Sequence, residues 1–119
     1  MSKEDIVFVL NNGKPDGASF PFMFSSAALN LGVKVKIIVL GGAVEAFMKR
    51  NFERIVFSKA PEPVDLLPQL LEMDLEIMAC KACIDALRVS SEELIDGIKI
   101  MGPVTFIEET TSANATISL

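Results

Sequence analysis

Two cysteines three residues apart, in Cys80-Lys81-Ala82-Cys83, form the one constellation in this sequence with obvious chemistry. Cys80 falls where an apolar, strand-like run gives way to helical sequence, so its sulfur can approach the unpaired N–H groups of a helix start. Those dipoles, with Lys81 adjacent, favour thiolate over thiol, while burial under an apolar lip pushes the other way. Thiolate is the species that attacks a disulfide or persulfide sulfur. Cys83 lies on the same helical face and within reach of Cys80. The plainer alternative is two small buried hydrophobes, since free cysteine is among the most buried residue types. Absences narrow the field further: the chain has no His, Trp or Tyr. Ser-His-Asp and Cys-His catalysis are excluded within it, as is any His-ligated metal. Two thiolates make only half a tetrahedral zinc site, so no metal and no cofactor are expected. A soft ion such as Cu(I), or a site shared between subunits, is the remaining metal option.

To place Cys80 at such a junction the chain must alternate strands and helices. Residues 6–10 are a continuous β-prone run stopped by Asn11-Asn12-Gly13. A loop over 13–17 leads to an apolar helix over 18–31, where Pro21 suits only the first turn and Gly32 is the stop. Residues 33–40 are a second strand, ended by Gly41-Gly42, and 43–50 a short helix with Lys49 and Arg50 in its last turn. The stretch 51–63 resists assignment; Ile55-Val56-Phe57 suits either a short strand or a packed loop. An amphipathic helix over 64–73 precedes a third strand over 75–79 and a helix over 81–87. Ser90-Ser91-Glu92-Glu93 fits a capping box, opening a short helix that Asp96-Gly97 ends. A strand over 98–101, a helix from Pro103 to about 110 and a strand over 115–119 complete the chain.

This alternation predicts a single α/β domain over 1–119, with a five-stranded, mostly parallel sheet and helices on both faces. A flavodoxin-like arrangement in the order 2-1-3-4-5 would make the first and third strands neighbours. The crevice between their carboxyl ends would then bring Asn11, Asn12 and Gly13 beside Cys80. Gly41 and Gly42 could add backbone N–H groups as an anion cradle, although both groups also serve as ordinary turns. With no G-x-G-x-x-G, a nucleotide reading is poor. Glu92, Glu93, Glu108 and Glu109 read as solvated helix ends rather than a carboxylate dyad.

The whole chain has 11 basic and 16 acidic residues, a net charge of −5, which makes nucleic acid an unlikely partner. Apolar runs break too soon for a membrane span, and the charged start Met1-Ser2-Lys3-Glu4-Asp5 does not suit a signal peptide. A cytoplasmic location is expected, where a cysteine pair suggests thiol chemistry before a structural disulfide. Charge is uneven: residues 1–59 carry 8 basic and 5 acidic groups, residues 60–119 carry 3 and 11. Such asymmetry can steer a partner without identifying one. A mean hydropathy of +0.43, with Phe20, Phe22, Met23 and Phe24 on one helix, leaves apolar surface for a second subunit.

The run Ile77-Met78-Ala79-Cys80-Lys81-Ala82-Cys83-Ile84-Asp85-Ala86-Leu87, followed by Ser91-Glu92-Glu93-Leu94-Ile95-Asp96-Gly97-Ile98, resembles the DsrE/DsrF-like (TusD-related) sulfur-relay proteins. The likeness extends to the apolar first strand, the Ala-rich first helix, Gly-Val-Lys-Val and Gly-Gly. It implies a flavodoxin-like fold, a homotrimer or homohexamer, and a cysteine that accepts persulfide sulfur and passes it on. The sulfur-carrying cysteine maps onto Cys80; Cys83 matches a second cysteine found in some branches only. Arg88-Val89 departs from the family, which often has Gly after the cysteine helix. The resulting expectation is an intracellular sulfur carrier or sulfurtransferase whose partners are sulfur donor and acceptor proteins. Two alternatives stay open: a dithiol–disulfide oxidoreductase using Cys80 and Cys83, and a non-catalytic oligomeric module that binds a small ligand.

Overall fold

Strand runs that are apolar at every position need cover on both faces, and the sheet provides it. The computed structural model describes residues 4–11, 15–55 and 62–119, with the side chains of the first helix described from Ser19 onward. Its strands are β1 (Asp5–Leu10), β2 (Lys34–Val39), β3 (Glu76–Cys80), β4 (Ile98–Met101) and β5 (Ala115–Ser118). The helices are α1 (Pro15–Asn30), α2 (Ala43–Ala46), α3 (Lys49–Phe52), α4 (Pro63–Glu72), α5 (Lys81–Ala86) and α6 (Pro103–Ser112), with a 3-10 turn at Ser91–Glu93. All strand pairs are parallel.

The sheet order is β4-β3-β2-β1-β5, which corrects the expected 2-1-3-4-5. From β1 to β4 each strand is laid beside the previous one. Only the last connection reverses, when α6 crosses the sheet and sets β5 against β1. Neighbouring sequential strands are the commoner arrangement, and no residue here required the chain to reverse earlier. β1 and β3 are therefore not neighbours; β2 lies between them.

Strand periodicity divides the core. Phe8, Leu10, Ile37, Val39, Ile77 and Ala79 face a large cluster completed by Phe22 of α1, Phe47, Phe52, Leu70 of α4 and Ile84 of α5. Within it the rings of Phe22, Phe47 and Phe52 lie 5.5 to 5.9 Å apart. Burial of each such ring is worth about 1.5–3 kcal/mol. Val7, Val9, Ile38, Met78 and Met101 face the other way, where Phe106 of α6 covers them.

Several local expectations need adjustment. α1 begins at Pro15, so Pro21 sits inside the helix and not in its first turn. The helix expected over 43–50 is two short ones, because Met48 is extended and bridges to Leu94. Pro15 to Gly17, expected as loop, is helical, while residues 12–14 and 56–61 lie outside the described residues. The Ser90 capping box is present, with Ser90 N–H donating to Glu93 at 3.1 Å, but it caps only three residues. Glu109 is no solvated end: it pairs with Lys36 of β2. Gly32 stops α1 as expected, at φ +83°, with Val33 N–H donating to the Ala28 carbonyl. Among the described residues no helix is long and apolar enough to cross a membrane.

Candidate functional site

Cys80 is the last residue of β3 and the N-cap of α5, with extended backbone angles of −69° and 122°. That conformation turns the strand into the helix and leaves the half-buried sulfur over the first helical turn. Its Sγ accepts a hydrogen bond from the Cys83 N–H at 3.4 Å. Sulfur here takes the place that Ser, Thr or Asp oxygen holds in ordinary caps. Register sets Cys80 beside Met101 of β4 on one side, and the end of β2 lies on the other.

From that end comes Gly41, whose N–H donates to the Cys83 Sγ at 3.1 Å. Gly41 has a φ of +54°, a conformation that side-chain-bearing residues rarely adopt. The pair of sulfurs is thus held between two adjacent strand ends, and both thiols are unbridged.

The two thiols are driven apart in acidity. Burial pushes Cys80 up, but hydrogen bonds from the Cys83 side chain and from the Cys83 and Ala82 amides outweigh it, against opposition from Asp85. The net direction is down. Burial and then the Cys80 side chain push Cys83 up, and the Cys80 charge adds to this against the Gly41 amide. The net direction is up. Of the two thiols, Cys80 is the one whose ionisation the site favours, and the ionisation of Cys83 is opposed.

Lys81, expected to help stabilise the thiolate, follows Cys80 at the start of α5. Its ammonium is exposed and pairs with Asp85 at 2.8 Å, and it is not among the groups that lower Cys80. Asp85 is the residue that sequence reasoning missed, although its i,i+4 spacing from Lys81 was visible. Of the other expected pocket residues, Asn11 is exposed at the end of β1, two strands from Cys80 and so about 10 Å away at the usual strand spacing. Asn12 and Gly13 lie outside the described residues. Gly42 is exposed and begins α2, so Gly41 alone is brought to the sulfurs. Among the described residues no three His, Cys, Asp or Glu side chains are grouped to hold a metal ion.

A profile of the DsrE/DsrF-like family matches residues 5–119. The chain belongs to the DsrE/DsrF-like family. Solved structures of similar fold include the ychN protein from E. coli, 23% identical with a TM-score of 0.72, the match covering 98% of this chain and 99% of that one. Protein BT1422 of Bacteroides thetaiotaomicron, of unknown function, is 18% identical with a TM-score of 0.73, over 98% of this chain and 95% of its own. At these identities the likeness speaks for the fold alone. Among curated proteins, the uncharacterized protein MJ0760 of Methanocaldococcus jannaschii is 23% identical over 96% of this chain. The chain spans 42% of that relative's length.

Proposed function

We propose that this DsrE/DsrF-like chain is a sulfur carrier that holds sulfane sulfur as a persulfide on Cys80. The observation that carries the reading is the position of Cys80 at the strand-to-helix junction, with its thiol held down by the amides of Ala82 and Cys83 and by the Cys83 side chain. The Cys80 thiolate attacks the outer sulfur of a donor persulfide, and the donor leaves as its thiolate. The carried sulfur is then attacked by an acceptor thiolate, and Cys80 departs as the thiolate that the same amides stabilise. A low thiol pKa suits both steps, because it supplies the nucleophile first and the leaving group second.

Donor and acceptor are proteins in this reading, the assembly is a homotrimer or homohexamer, and the site of action is the cytoplasm. Exposed Val104 and Ile107 on α6 support assembly by offering apolar surface. The test is intact mass after incubation with a small-molecule persulfide. A gain of ~32 Da that reductant reverses, present in Cys83→Ser and absent in Cys80→Ser, is the expected result. An adduct that survives Cys80→Ser would move the carrier role elsewhere.

A further inference from the structure

We infer that Cys83 is the resolving thiol of this site, attacking a Cys80 persulfide and releasing the carried sulfur as sulfide when no acceptor has taken it. The inference rests on the persulfide reading above and deepens it. Its basis is the way the second sulfur is held. Cys83 contributes its N–H to the Cys80 sulfur at 3.4 Å, so the Cys80 sulfur already lies over the backbone of its neighbour. The Cys83 sulfur is fixed from another direction by the Gly41 N–H at 3.1 Å, an amide from the end of a different strand. A thiol that served only as filling would have no need of such a partner. Cα atoms three apart near a helix start are about 5 Å from one another by helix geometry, inside the ~4.4–6.8 Å window of a disulfide.

The step balances without an outside oxidant. Cys83 Sγ bonds to Cys80 Sγ, and the bond from Cys80 Sγ to the sulfane sulfur breaks. The sulfane sulfur leaves with the electron pair as sulfide and takes the proton that Cys83 gives up. Sulfane sulfur is reduced by two electrons, and the two cysteine sulfurs are oxidised to a disulfide. The raised thiol of Cys83 slows this step, because only the fraction that has given up its proton attacks, which leaves time for an acceptor to arrive first. A dithiol reductant must then reopen the disulfide for another cycle. Because the attacking thiol is tethered, it competes with any undocked acceptor. The acceptor gains only by arriving before Cys83 rearranges.

The experiment loads the full chain with a small-molecule persulfide, removes the donor by rapid desalting, and follows sulfide by electrode and protein by intact mass. Wild type should release about one sulfide per loaded chain without added thiol, ending about 2 Da below the reduced mass. Cys83→Ser and Cys83→Ala should retain the ~32 Da adduct at least tenfold longer and release sulfide only on adding reductant. A wild-type adduct as long-lived as that of both variants would overturn the resolving role while leaving the carrier reading intact. Sulfide released with no loss of 2 Da would also overturn it. Failure of Cys83→Ser and Cys83→Ala to load at all would overturn the carrier reading and this step with it. A wild type that loses 2 Da with no sulfide would instead mark a plain dithiol oxidant, and the resolving step would be rejected.

Discussion

Cys80 and Cys83 are chemically the same residue, separated only by what faces each sulfur. Amides of the first α5 turn and the Cys83 side chain face Cys80, while Cys83 faces the charge that results. Alkylation of the wild type with iodoacetamide across a pH series, read peptide by peptide, should therefore label Cys80 at lower pH than Cys83. In Cys80→Ser the Cys83 profile should move down, because the neighbouring charge that opposes its ionisation has gone. Coincident profiles in the wild type would show that the junction does not activate sulfur. Both thiols were legible in the sequence, since the motif and its apolar approach are local. The Gly41 amide was legible as a backbone donor, but its contact with Cys83 was not, because that depends on β2 and β3 being neighbours. The pairing of Lys81 was not legible either: adjacency to Cys80 in sequence says nothing of Asp85, one turn on, with which it pairs.

At the scale of elements, the ends of helices carry the most specific expectations. α5 ends in a left-handed residue, as α1 does at Gly32, but here the residue is Arg88 at φ +56°. The Val89 N–H closes the motif on the Ile84 carbonyl at 3.1 Å. Left-handed angles cost a side-chain-bearing residue roughly 1–2 kcal/mol, while glycine loses about 0.4–1 kcal/mol through its freer unfolded chain. Arg88→Gly should thus stabilise the domain by about 0.5–1 kcal/mol in urea unfolding, and Arg88→Val should destabilise it. Arg88 at this position is a tolerated strain in the loop. The amino ends of the strands give a pH-dependent case. Burial pushes Glu76 up, yet hydrogen bonds and charge from Lys99 and Lys36 hold its carboxyl below the usual range. A depressed carboxyl stabilises the fold above its unfolded pKa, and this is lost as pH falls through the folded value. Wild type should exceed Glu76→Gln in stability at neutral pH, and the gap should close below about pH 4. A gap that persists at pH 3 would assign the effect to shape and not to charge. Element positions themselves were largely readable, from apolar runs, Gly32 and the Ser90 box. The break at Met48 was not, because it is imposed by a bridge to Leu94, far along the chain.

At the scale of the whole molecule, alternation in the sequence was enough for a parallel α/β sheet, but strand order was not. Order is fixed by where each crossover lands, and no single residue records that. α6 is the element on which this matters for assembly. It covers the second face of the sheet with Phe106 and turns Val104 and Ile107 outward, 70% and 56% exposed. Light scattering at micromolar concentration should report an oligomer, and Ile107→Lys with Val104→Lys should shift it toward monomer without unfolding it. A wild-type monomer would reject the assembly.

The pairing of β1 with β5 joins residues 6–9 to residues 115–118. During synthesis the outer edge of β1 therefore stays without its ladder until more than a hundred further residues have left the ribosome. At ~5–20 residues per second that wait is roughly 5–20 s. Contacts this distant in sequence also close slowly after the chain is complete. An open parallel edge is a template for other strands, so the nascent domain carries its greatest aggregation hazard at its amino end. A chaperone that recognises extended apolar segments would be expected to engage Ile6, Val7, Phe8 and Val9 first, and to be displaced by the strand that arrives last.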